Sequence, residues 1–80
     1  MENVLNVAYY LTRKIKKKIG NNIKKIRQKK NLKQIQVNVD AGIASSYFGR
    51  IERGQVNPSL EKLYRIIRAL KAKSSDILPF

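Results

Sequence analysis

The stretch Gly42-Ile43-Ala44-Ser45-Ser46-Tyr47-Phe48-Gly49-Arg50-Ile51-Glu52-Arg53-Gly54 decides the fold. It reads as a turn, a two-turn helix and a glycine stop. Phe48 and Ile51 lie three residues apart on one helical face, and Gly54 is placed to end the helix in the left-handed conformation. A helix of this length is the right size to enter the major groove of a duplex. Just upstream, Ile35, Val37 and Val39 alternate with polar residues as in a half-buried strand. Nothing else in the chain reads as a pairing edge, and a lone short strand is not stable. A helix is therefore expected from Gln34 to Asp40, with Val37 and Ala41 facing inward.

Further out, Val4, Ala8, Leu11, Ile15, Ile19, Ile23 and Ile26 recur at spacings of three and four, a helical stripe reaching about Lys30. Gly20-Asn21-Asn22 interrupts it with three poor helix formers. Either one long helix is weakened there or two helices meet there, and the second reading is favoured. On the other side, Asn57-Pro58-Ser59 opens a helix with Ser59 as N-cap and Leu60, Leu63, Ile66, Ile67 and Leu70 as its core face. Ser74 or Ser75 is expected to cap a last short turn through Asp76, Ile77 and Leu78. All elements are helical, so the fold class is all-α.

The 80 residues are 42% apolar, enough for one small core. With no cysteine and no histidine, disulfides, thiolate or imidazole metal sites and the commonest general bases are excluded. No metal, cofactor or small-molecule ligand is expected, and no enzymatic activity. Lys and Arg number 18 against 5 Asp and Glu, a net charge of +13, which attracts polyanions through counterion release. Nucleic acid is the first partner to consider and an anionic membrane the second. The apolar N-terminal residues precede the basic run, the reverse of a signal sequence, and no long hydrophobic segment follows. A cytoplasmic, nucleoid-associated protein is expected.

From about Ile19 to Leu78 the chain resembles the lambda-repressor-like (Cro/cI, or XRE) helix-turn-helix family. The resemblance rests on Ile23 and Ile26 with Arg27, Leu32 followed by Gln34, the Ala41-Gly42-Ile43 turn, Tyr47-Phe48, Ile51-Glu52-Arg53-Gly54, Asn57-Pro58-Ser59-Leu60 and Ala69-Leu70. It implies a compact five-helix domain over residues 19–80, preceded by an extra basic amphipathic helix over residues 1–18. Restriction-modification controllers and phage or plasmid repressors are the subtypes of similar length. The resemblance further implies a structural ion pair between Glu52 and Arg27, a better reading of Glu52 than contact with DNA, since a carboxylate facing phosphates weakens binding.

Carried over residue by residue, the resemblance places Ser45, Ser46, Gly49 and Arg50 against bases, with Gln34 from the preceding helix. Arg50 is the main candidate for specificity, because a guanidinium bonds guanine O6 and N7 in bidentate fashion; its alternative role is a phosphate clamp. Ser45 either touches DNA or caps its own helix. Lys33, Tyr47, Arg53, Gln55 and Asn57 are assigned to phosphates. The chain departs from the family pattern at Lys33 and Ala44, where a Ser or Thr usually caps, at Gly49 inside the reading helix, and at Asn38, where a small alanine is usual. These departures suggest a marginally stable reading head. Arg13, Lys14, Lys16, Lys17 and Lys18 either lie along flanking phosphates, form a solvated face, or belong to a helix lying on a membrane.

The expected function is sequence-specific binding of double-stranded DNA by a transcriptional regulator, a repressor or autoregulatory controller. It would act as a homodimer on a palindromic operator. The dimer surface is expected at Ile67, Ala72, Ile77, Leu78 and Phe80, which would otherwise leave apolar area exposed. The rival readings are an antitoxin-type protein-binding module and a non-specific architectural DNA binder.

Overall fold

The structure is a computed structural model that describes residues 11–80; the expectations placed on Val4 and Ala8 lie outside the described residues. Five helices follow in order: α1 (Arg13–Lys29), α2 (Gln34–Ala41), α3 (Ser45–Glu52), α4 (Leu60–Leu70) and α5 (Ser74–Ile77). No strand occurs among the described residues. α1 packs on α3 and α5, while α2 packs on α3 and α4. The core between them is built from Ile19, Ile23, Val37, Ala41, Ile43, Phe48, Ile51, Leu63, Ile66, Leu70 and Ile77.

α1 starts where Thr12 Oγ1 accepts the backbone N–H of Ile15 at 3.2 Å, an N-cap that satisfies one of the first turn's free donors. It then runs without a break to Lys29. The expected junction of two helices at Gly20-Asn21-Asn22 is therefore incorrect, and the limit drawn between residues 18 and 19 falls inside a single helix. Tertiary contact overrides the poor propensity. A Cβ on Gly20 would lie 2.3 Å from the carbonyl oxygen of Ile51 and 2.5 Å from that of Glu52. Only glycine lets α1 approach the end of α3 this closely. Asn22 donates from Nδ2 to the carbonyl of Ile77 at 2.9 Å and ties α5 beneath α1.

α2 is helical as expected, and the ambiguous alternation resolves with Val37 buried while Ile35 and Val39 stay exposed. Gly42 follows in the left-handed conformation at φ 68°, which it adopts without the penalty of a Cβ. Ser59 caps α4, its hydroxyl accepting from the N–H of Lys62 at 3.2 Å. Leu60, expected in the core, is 80% exposed. It is the first residue of α4, ahead of Leu63, where the helix's contact with the core begins.

The C-terminal expectations also change. Ser74 and Ser75 lie within α5, whose N-cap position is Lys73; the Lys73 N–H is satisfied instead by Asp76 Oδ2 at 3.0 Å. Ile77, expected on a dimer surface, is fully buried because α5 folds back against α1. Ile67, Ala72 and Leu78 are half-buried against the same core, and only Phe80 of that set is broadly exposed.

Gly20→Ala tests the close approach of α1 to α3. Alanine gains roughly 0.8–1 kcal/mol over glycine inside a free helix, whereas forcing a methyl against immobile backbone costs about 1–3 kcal/mol or more. The variant is expected to unfold at lower urea than wild type. A higher midpoint would show that the two helices have room to spare.

Candidate nucleic-acid interface

α2, the Gly42 turn and α3 form a helix-turn-helix, and its geometry is set from beneath by one buried ion pair. Arg27 on α1 donates from Nε to Glu52 Oε2 at 2.7 Å and from Nη2 to Oε1 at 3.2 Å, a two-pronged guanidinium–carboxylate pair. Its Nη1 donates to the carbonyl of Leu32 at 2.9 Å, in the connection between α1 and α2. Gln34, the first residue of α2, donates from Nε2 to Glu52 Oε1 at 2.7 Å. One carboxylate thus ties α1, α2 and α3 together.

Glu52 therefore faces inward and does not oppose an approaching phosphate. Its bond to Gln34 also fixes the amide, since a carboxylate can accept only from the NH2 side. The Gln34 carbonyl and its second N–H are left available on an exposed side chain.

The turn has its own lock. Asn38 is buried, and its Nδ2 donates to the carbonyl of Ile43 at 3.0 Å. An alanine here could not hold the turn in that way. Asn38 Oδ1 is buried without a partner among the described residues, so the lock is obtained at a cost in desolvation. Lys33 lacks a capping side chain, but its N–H donates to Gln36 Oε1 at 2.7 Å, the returning half of a capping box. These two bonds offset part of the weakness expected from the residues that depart from the family pattern.

α3 presents Ser45, Ser46 and Arg50 to solvent. Ala44 holds the N-cap position with no side-chain bond, so Ser45 is not the cap of its own helix. Gly49 is buried because Arg53 folds over it: a Cβ there would lie 3.1 Å from Arg53 Nη1. At this point the surface is the Arg53 guanidinium rather than bare backbone. Arg53 also donates from Nε to Gln55 Oε1 at 3.3 Å, joining α3 to the exposed loop that carries Asn57.

Tyr47 is half-buried, with Lys62 Nζ of α4 5.3 Å from its ring centroid, a cation–π contact that restrains the tyrosine. Lys62 was not among the sequence candidates, because pairing two residues this far apart in sequence requires the fold. The exposed Gln34, Ser45, Ser46, Arg50, Arg53, Gln55 and Asn57, with Lys33 at the start of α2, display cationic and amide groups without an exposed carboxylate among them. Such a surface can hydrogen-bond phosphate oxygens and base edges together.

Glu52→Ala is expected to destabilise the domain by on the order of 3–5 kcal/mol, because it leaves the Arg27 guanidinium buried without its partner. Glu52→Gln keeps one acceptor oxygen and should lose less. An unchanged urea midpoint for Glu52→Ala would show that the pair does not hold these helices together.

Comparison with known proteins agrees with this geometry. The helix-turn-helix family profile matches residues 23–78. The chain is 34% identical over 64 residues to y4dJ, an uncharacterized HTH-type transcriptional regulator of Sinorhizobium fredii, covering 80% of this chain and 83% of that protein. Among solved structures it is similar to the restriction-modification controller protein C.AhdI from Aeromonas hydrophila. The TM-score is 0.74 at 31% identity, over 78% of this chain and 94% of that one. It is also similar to the controller C.Esp1396I, solved as a tetramer in complex with its natural 35 base-pair operator. That TM-score is 0.71 at 26% identity, over 76% of this chain and 80% of that one. With its family profile spanning the motif, the Gly42 turn and the α4 scaffold, the chain belongs to the helix-turn-helix family of XRE type.

Proposed function

We propose that the protein is a sequence-specific, double-stranded-DNA-binding transcriptional regulator that places α3 in the major groove. The observation that carries this reading is the pairing of an inward-turned Glu52 with an outward-facing Arg50 on one short helix. The only carboxylate of α3 is neutralised below the surface, and its most capable reading group is exposed above it. Gln34, Ser45 and Ser46 make the remaining base-directed set, together with the Arg53 guanidinium that stands over Gly49. Lys33, Tyr47, Gln55 and Asn57 take phosphates.

The operator complex of C.Esp1396I supports DNA as the partner. It also supports action as an oligomer, here a homodimer on a palindromic site with half-sites roughly 34 Å apart. The surface offered to a second copy is the C-terminal end, where Phe80 is exposed and Leu78 half-buried. A repressor or self-limiting controller is the simplest output of such a domain. It works inside the cell, on the nucleoid, by binding rather than catalysis, and needs no cofactor or small-molecule effector. Among the described residues no helix is long and apolar enough to cross a membrane.

Selection of bound duplexes from a random library, run in parallel with wild type and Arg50→Ala, tests the reading. Wild type is expected to recover a palindromic consensus. Arg50→Ala should relax one base position in each half-site, a loss of about 1–3 kcal/mol of discrimination there. Strong salt-sensitive binding without enrichment by either protein would replace this reading with non-specific architectural binding.

A further inference from the structure

The first turns of α1 lie ahead of the span matched by the family profile, residues 23–78, and they carry a concentration of charge that folding does not explain. α1 contains nine cationic side chains and no acidic one. Arg13, Lys14, Lys16, Lys17 and Lys18 crowd its N-terminal end. Cations there oppose the positive end of the helix dipole, and the pairs Arg13 with Lys16 and Lys17, and Lys14 with Lys17 and Lys18, stand at the spacings where like charges repel. This arrangement lowers the stability of the free helix. A polyanion would reverse both effects.

The position of these groups indicates which polyanion. Arg13, Lys16 and Lys17 line one groove together with Arg53, Gly54 and Gln55, the residues that directly follow α3. The two sides of the groove are held in register by backbone contact, because a Cβ on Gly54 would lie 2.6 Å from the Cα of Lys17. The α1 cations are therefore fixed beside the end of the reading helix. The apolar side of α1 is occupied, with Ile19 and Ile23 fully buried and Ile15 packed against the core. Ile19 and Ile23 are thus committed to the core rather than to a membrane surface.

We infer that Arg13, Lys16 and Lys17 form a phosphate-binding track that continues the Arg53–Gln55 edge and holds the DNA backbone flanking the half-site read by α3. The inference rests on the DNA-binding function proposed above and extends its footprint beyond the base-reading helix. Each phosphate neutralised contributes about 0.9 to the slope of log affinity against log salt, so three contacts contribute roughly 2–3 per domain.

The test uses the full chain and the combined variant Arg13→Gln, Lys16→Gln, Lys17→Gln, in which glutamine keeps helix propensity and the removed repulsion protects folding. The control is Lys25→Gln, Lys29→Gln, Lys71→Gln, an equal charge change on a different groove. Salt titrations are read on the selected consensus within long flanks and on the same consensus trimmed at its ends. The track variant is expected to bind the long duplex roughly tenfold or more weakly at low salt, with a slope smaller by about 2–3 per domain and an unaltered consensus. The control should stay near wild type, and trimming should weaken wild type more than the track variant.

Equal losses in track and control variants would reduce the effect to overall net charge and overturn the proposal. So would an unchanged slope, or a defect of the track variant that appears only on mixed phosphatidylcholine and phosphatidylglycerol vesicles. If wild type selects no consensus, the sequence-specific reading fails by itself. The slope comparison on an arbitrary long duplex then still decides whether the track binds phosphates.

Discussion

The Arg27–Glu52 pair is the constraint on which the arrangement of this domain depends. Burying a carboxylate and a guanidinium is costly, and an apolar pair of similar size could fill the space at no loss of stability. An apolar pair would supply no directional hydrogen bonds. The two-pronged bond fixes how α3 lies across α1, and the remaining donors of Arg27 and acceptor capacity of Glu52 reach Leu32 and Gln34. The relative placement of the two helices that face DNA in the proposed function is thus set by groups beneath them. In a chain with five acidic residues and a charge of +13, turning one carboxylate inward also keeps negative charge away from the surface where phosphates would approach.

Two backbone approaches complete what the ion pair begins. Gly20 admits the carbonyls that end α3, and Gly54 admits the backbone of α1 at Lys17. Both contacts join the same two segments, one at the last turn of α3 and one just beyond it. The first turns of α1 are consequently packed as one unit with α3, and charges placed on them move with it. Phosphate contacts from a rigidly attached helix cost less ordering than contacts from a free basic tail.

Much of this organisation is legible from residue types alone. The stop at Gly54, the Ser59 cap, the buried faces of α3 and α4 and the inward Glu52 all follow from spacing, charge and the family resemblance. The errors arise where a local rule meets a distant partner. Gly20-Asn21-Asn22 reads as a break because propensity counts only the helix itself, whereas Gly20 serves α3 and Asn22 serves α5. Ile77 reads as exposed because a four-residue turn carries too little pattern to show that it folds back on α1. Leu60 fits the periodicity of α4 but stands one turn before its contact with the core begins. Gly49 reads as a base-facing position until the fold lays Arg53 across it.

The cover of Arg53 over Gly49 bears on how the surface divides its work. In the proposed function Ser45, Ser46 and Gly49 would bring little length to the groove, so long-reach chemistry would be left to Arg50 and Arg53, with Gln34 held from below by Glu52. Few groups can then distinguish one base pair from another, while many can meet phosphates. Phosphate contacts are shared by specific and non-specific complexes and weaken together as salt rises, whereas hydrogen bonds to base edges belong to the specific complex alone. A domain of this composition gains affinity readily and discrimination sparingly. In the proposed function, pairing two copies on one symmetric site would count each scarce base contact twice within a single binding event, which is the physical reason a reading face this lean would be best used as a dimer.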